Sequence, residues 1–161
     1  MKNEFNYNNL FISFNLVFYG KKYNFFFAKS HSVDNANDIF VYLLSRLFPH
    51  GKFEFDYKGI LQPSIKFWKE FYSQLKPEIL EKALKSYAYK NEGKIALSLI
   101  SGEDIVTRIS NITRPMKYED NLEWTIKGRF GPYELPDTIV HASSHKEVDK
   151  DIKILRKYNL I

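Results

Sequence analysis

A histidine behind a β-prone run, followed by small residues and then charge, is the arrangement in this sequence best suited to chemistry. It lies in Thr138–Glu147, TIVHASSHKE, and uses one of only four histidines in the chain. Thr138–Val140 is short and β-branched, so His141 falls at or just past a strand end. Rigid elements present side chains to ligands at such places. An imidazole titrates near neutrality, and can act there as nucleophile, general base or phosphate partner. Ser143 and Ser144 are positioned to cap a following helix, whose N-terminus would favour an anion beside the histidine. On this stretch alone, a buried histidine hydrogen-bonded at a strand end is the simpler account. A metal pair with His145 fits by spacing but has no obvious acidic third ligand.

The composition narrows the setting. The 161 residues suit one domain with a real core, and 44% are hydrophobic, with 14 Phe and 11 Tyr. There is no cysteine, which removes disulfides, thiolate metal sites and cysteine nucleophiles together. A reducing, cytoplasmic setting is the expectation. The formal charge of +5 favours anionic partners such as nucleotides, although a plain basic surface carries the same charge. LFISFNLVFYG, near the start, is too short and too interrupted by Ser and Asn to span a bilayer. It also lacks a signal-peptide cleavage pattern. No membrane association is expected.

The elements that must position the histidine follow from periodicity. LFISFNLVFY and YNFFFAK, joined by GKK, predict a hairpin. NANDIFVYLLSRLF puts Ile39, Leu43, Leu44 and Leu47 on one helical face, with Asp34 or Asn35 as its cap. Phe53, Phe55 and Tyr57 alternate with charged residues in a half-buried strand. Ser64 caps a helix over IKFWKEFYSQL, and Pro77 closes it and opens the next. KIALSLISG predicts a strand, EDIVTRISNI a short helix, and residues 113–136 a long ordered loop. DTIVHAS is the last strand and HKEVDKDIKILRKYNL the last helix. The predicted order is β-α-β-α-α-β-α-loop-β-α. That is an α+β, ferredoxin-like split βαβ sandwich, its antiparallel sheet covered by helices on one face, with an extra N-terminal hairpin strand. Residues 1–22 read as an N-terminal extension and 23–161 as the domain.

The ordered segments add a resemblance. WTIKGRFG, then DTIVHASSHKEVDKDI, resemble the Thr-Ile-basic-Gly-x-Phe segment, the histidine-ending strand and the acidic helix of the nucleoside diphosphate kinase family. FFFAKSHSV resembles its first strand, KEFYSQLKP its tyrosine-bearing helix, and KIALSLISGEDIVTRISNITRP its third strand, helix and loop entry. The match in order runs from about Tyr23 to Ile154.

The resemblance implies an enzyme that moves the γ-phosphoryl of a nucleoside triphosphate to a diphosphate through phosphorylated His141, with Mg²⁺. It implies that Lys29, Arg108, Thr113 and Lys127 contact phosphates, and that Tyr72 orders the lysine and histidine. Ser143 and Asp151 would support the histidine. Leu80 and Leu135 would flank the base, and Thr138 would stand at the ribose. The implied partners are nucleoside di- and triphosphates and further copies of the chain, in hexamers or tetramers built from dimers.

Several positions depart from the family pattern. Lys-Pro-Asp-Gly becomes KSHS at Lys29–Ser32, and Lys127 replaces an arginine, losing the bidentate fork. Thr138 replaces an asparagine, Ala142 a glycine, and Leu80 an aromatic residue. The alternative is therefore a catalytically impaired nucleotide-binding relative that acts as a scaffold. A nucleic-acid binder is a third possibility, but no aromatic recognition motif supports it.

Overall fold

The computed structural model of the chain describes residues 22–88, 90–113, 123–131 and 139–161. Four strands alternate with helices: β1 (Lys22–Ala28), α1 (Ala36–Leu47), β2 (Phe53–Leu61), α2 (Ile65–Phe71), α3 (Pro77–Tyr87) and β3 (Ile95–Gly102). They are followed by α4 (Ile105–Thr113), α5 (Ile126–Phe130), β4 (Val140–Ala142) and α6 (Val148–Lys157). The sheet order is β2-β3-β1-β4, and every neighbouring pair is antiparallel. β1 and β2 are thus parallel with β3 between them, and β3 and β4 are parallel with β1 between them. Both crossovers, through α1 and through α4, are split βαβ units, and the fold is the ferredoxin-like α+β sandwich the pattern predicts.

One expectation needs correction. Helices cover both faces of the sheet, not one. The reason lies in β1, where Phe25, Phe26, Phe27 and Ala28 are all buried, so this half of the strand has no side left for solvent. Phe26 meets Phe40 of α1 edge-on at 5.6 Å, and α4 packs beside α1. Phe25 and Phe27 turn the other way to Phe71 of α2, at 6.0 and 5.9 Å. On this side α6 packs beside α2, and the Lys157 ammonium and Tyr158 hydroxyl both bond the Glu70 carboxylate.

The local signals decide most boundaries. Ser64 accepts a hydrogen bond from the Phe67 amide at 3.2 Å and starts α2, and Pro77 occupies the first turn of α3. Asn35 stands before α1 without a side-chain cap, because a 3₁₀ turn over Ser30–Asn35 already leads the chain in. β2 shows the expected alternation and then an irregularity between Tyr57 and Gly59, where φ of +97° requires glycine. The expected loop over residues 113–136 contains α5, started by Thr125, whose hydroxyl accepts from the Gly128 amide at 3.0 Å. The expected N-terminal hairpin strand lies outside the described residues, apart from Lys22 at the start of β1. No helix among the described residues is long and apolar enough to cross a membrane.

Candidate active site

β4 is only three residues long, and its middle residue is His141, paired in register with Phe27 of β1. The pairing lays the imidazole on aromatic rings. It stacks on Phe27 at 5.1 Å and Phe25 at 5.7 Å, while Phe71 and Tyr72 approach edge-on at 5.1 and 5.9 Å. The side chain keeps 19% of its surface, yet its Nε2 is sealed from solvent and has no hydrogen-bond partner among the described residues. Nε2 faces the Asp151 carboxylate, 3.8 Å away, an electrostatic contact rather than a bond.

Asp151 is buried in the first turn of α6, where the helix dipole favours an anion. Its Oδ2 accepts from the Ser143 hydroxyl at 2.5 Å. The Ser143 carbonyl in turn accepts from the buried Asn24 amide at 3.2 Å. Ser143 therefore orients the carboxylate and does not cap the helix. Ser144 likewise spends its hydroxyl on the Glu147 side chain at 2.7 Å. Burial lowers the pKa of His141, the Asp151 contact opposes this, and the nearby Lys29 charge lowers it further. The imidazole is held neutral at pH 7.

Lys29 follows directly on β1, and its backbone amide donates to the Ile139 carbonyl at 2.8 Å beside β4. Only 2% of the residue is exposed. Its ammonium donates to the Tyr87 hydroxyl at 2.8 Å and lies 4.0 Å above that ring. Tyr87 ends α3 and packs on Tyr72 at 5.3 Å. The Tyr72 hydroxyl is buried without a partner among the described residues, and burial raises its pKa well above the ordinary 10.0. The departure at KSHS acquires a structural account here. Ser32 is buried, and its hydroxyl bonds the carbonyls of Lys29 at 3.0 Å and Ile139 at 2.6 Å. A serine cross-tie stands where the family pattern has a proline-containing turn.

Five of the residues singled out in the sequence, Lys29, Tyr72, His141, Ser143 and Asp151, thus meet in one cluster. The others lie apart or outside it. The Arg108 guanidinium is engaged by the carbonyls of Leu47 at 2.7 Å and Gly51 at 3.3 Å. It lines a separate cleft of about 430 Å³ with Lys52, Glu103, Asp104 and Trp124. One position earlier on α4, Thr107 contacts the exposed His145 at 2.8 Å and so ties the helix to the loop after His141. Thr113 donates back to the Ile109 carbonyl at 2.6 Å and is buried at the end of α4. Lys127 is half-buried on α5, and burial lowers its pKa. Leu80 is partly buried against the core from α3. Leu135 and Thr138 lie outside the described residues.

The sequence reading missed Tyr87 and Asn24. Asn24 left a signal, a polar residue inside the apolar run YNFFFA. Tyr87 left none, because its role depends on where the end of α3 arrives.

A neutral imidazole on a rigid aromatic floor, with a carboxylate behind it and a buried ammonium nearby, suits nucleophilic attack on an anionic phosphorus centre. Three solved structures share the architecture that holds this cluster. The nucleoside diphosphate kinase of Borrelia burgdorferi, with bound vanadate and ADP, superposes with a TM-score of 0.69 at 14% identity, over 88% of this chain and 90% of that one. The chain has the nucleoside diphosphate kinase fold. The halophilic nucleoside diphosphate kinase from Halobacterium salinarum, in complex with CDP, gives 0.64 at 16% identity over 83% and 86% of the two chains. The Aquifex aeolicus enzyme gives 0.63 at 18% over 84% and 94%. No protein-family model matches the sequence, and no curated protein matches it. At such identities the likeness is one of fold.

Proposed function

We propose that the protein is a nucleoside diphosphate kinase, exchanging phosphoryl groups between nucleotides through phosphorylated His141. The observation that carries this reading is the asymmetry of the imidazole. Nε2 is buried against Asp151, so Nδ1 is the nitrogen left for phosphorus. In the first half-reaction the Nδ1 lone pair attacks the γ-phosphorus. The bond to the β,γ-bridging oxygen breaks, and its electrons leave with the nucleoside diphosphate. The imidazole ring gains positive charge as the P–N bond forms, and the Asp151 carboxylate, oriented by Ser143, stabilises that charge. A terminal oxygen of a second diphosphate then attacks the phosphohistidine and restores the neutral ring.

Lys29 is the cation nearest this chemistry, and Lys127 and Thr113 are proposed for the outer phosphate oxygens. Arg108 would join them only by leaving the carbonyls of Leu47 and Gly51. Leu80 and Leu135 are proposed at the base and Thr138 at the sugar. Magnesium is expected to enter as part of the nucleotide substrate. Phosphate oxygens are the hard ligands that such an ion takes, so they are proposed as its main ligands.

Steady-state kinetics with ATP and GDP test the reading. Parallel double-reciprocal lines and production of GTP are expected, as phosphoryl storage on the enzyme requires. Intersecting lines, or no GTP from a protein that binds both nucleotides, would contradict it.

A further inference from the structure

The geometry points to Tyr87 as the residue that positions the Lys29 ammonium for phosphoryl transfer. The inference rests on the proposed kinase activity for its purpose, but its physical content can be tested without turnover.

Lys29 is an unusual cation, because its ammonium lies inside the protein. Burial of a charge is costly unless it is met by polar groups, and Tyr87 meets it twice. The hydroxyl accepts from Nζ at 2.8 Å, and the ring face lies 4.0 Å below it. Tyr87 can do this with little motion of its own. It is 1% exposed at the end of α3 and is wedged against Trp68 at 5.8 Å and Tyr72 at 5.3 Å.

The nature of the acceptor matters. A carboxylate in place of Tyr87 would neutralise the lysine and compete with an incoming phosphate. A phenol hydroxyl and a π-face hold the ammonium without themselves neutralising it. A lysine stem otherwise loses much rotamer freedom on binding, and holding it beforehand removes part of that cost. When a γ-phosphate arrives, its charged oxygens are stronger acceptors than the hydroxyl. Transfer of the ammonium then needs a short movement and no search.

The two tyrosines divide the work. Tyr72 meets His141 edge-on and its hydroxyl has no partner among the described residues, whereas Tyr87 holds Lys29. His141 senses the outcome. The charged groups facing it are Lys29 beyond β1 and Asp151 and Glu147 at the start of α6. Neutral Tyr72 and the rings of Phe25, Phe27 and Phe71 complete its surroundings. Displacement of the lysine charge therefore raises the histidine pKa.

The test is a double-mutant cycle on the full chain with Tyr87→Phe and Lys29→Met, since Phe keeps the ring and removes only the hydroxyl. NMR titration of His141 is expected to show a raised pKa in Tyr87→Phe and in Lys29→Met, with no further rise in the double variant. Single-turnover phosphorylation of His141 by ATP is expected to slow about tenfold in Tyr87→Phe, and not to slow further when the change is made in Lys29→Met. An unchanged titration in Tyr87→Phe would overturn the inference. So would equal rate losses in both backgrounds, or a variant that fails to fold, since these mark a packing role. If the wild-type chain forms no phosphohistidine, the kinase reading fails, and the titration still decides whether Tyr87 holds the lysine.

Discussion

The role proposed for His141 as nucleophile needs a neutral ring, and its burial favours that state. Folding lowers its pKa below the ordinary 6.5, chiefly by burial. The unfolded chain therefore takes up this proton at higher pH than the folded one, and stability rises with pH across that interval. The contribution is fully present above about 6.5 and falls as the pH drops through 6.5 toward the folded value. Chemical denaturation of wild type and His141→Gln between pH 5 and 8 checks this. The difference between the two should slope on the acid side of 6.5 and be flat above it; no change in that difference on acidification would contradict the account. Asp151→Asn should leave the ring in place but remove the countercharge to the developing imidazolium, lowering kcat on the order of 10²-fold. Ser143→Ala should lower it less, because the carboxylate remains and only its orientation is lost. Single-turnover rates distinguish the two. His141 was legible from its own stretch, as a histidine behind a β-branched run, whereas Lys29, Ser143 and Asp151 stood out only by matching positions of the family that the sequence resembles. Tyr87 and the aromatic floor were not, since their meaning comes from contacts between distant segments such as Phe25, Phe71 and His141.

The elements carry that precision to the site. β1 presents Phe25 and Phe27 to one layer and Phe26 to the other, so the histidine rests on the same strand that anchors the opposite face. α2 depends on its cap. Ser64→Ala should cost about 1 kcal/mol, whereas Asn35→Ala should be nearly neutral because Asn35 makes no capping bond. Urea denaturation of both variants measures the contrast, and equal losses would contradict it. Long periodic helices and alternating strands were readable from the sequence because burial imposes their period. α5 was not, being five residues long and visible beforehand only as a Thr followed three residues later by Gly. The second helical layer was also missed. FFFA was recognised as apolar, but an unbroken apolar run means burial on both sides of a strand, and that step decides how many layers the fold has.

At the scale of the whole molecule, the formal charge of +5 suits the anionic substrate proposed above. The self-association implied by the family resemblance has exposed apolar surface available to it. β2 is a sheet edge with no partner on its outer side among the described residues, and Ile60 on it is 58% exposed. Val41 and Phe48, on and just beyond α1, add exposed apolar area. Light scattering should therefore return a mass that is a multiple of 19.1 kDa, and a mass of one chain at micromolar concentration would contradict this. The central claim, that His141 stores a phosphoryl group, is tested most directly by incubating the protein with γ-³²P-labelled ATP and Mg²⁺ beside a His141→Ala variant. The account predicts a protein-bound label that is acid-labile, stable to alkali, discharged by GDP and absent from the variant. A label that persists in His141→Ala, or none in a wild-type protein that binds ATP, would contradict it.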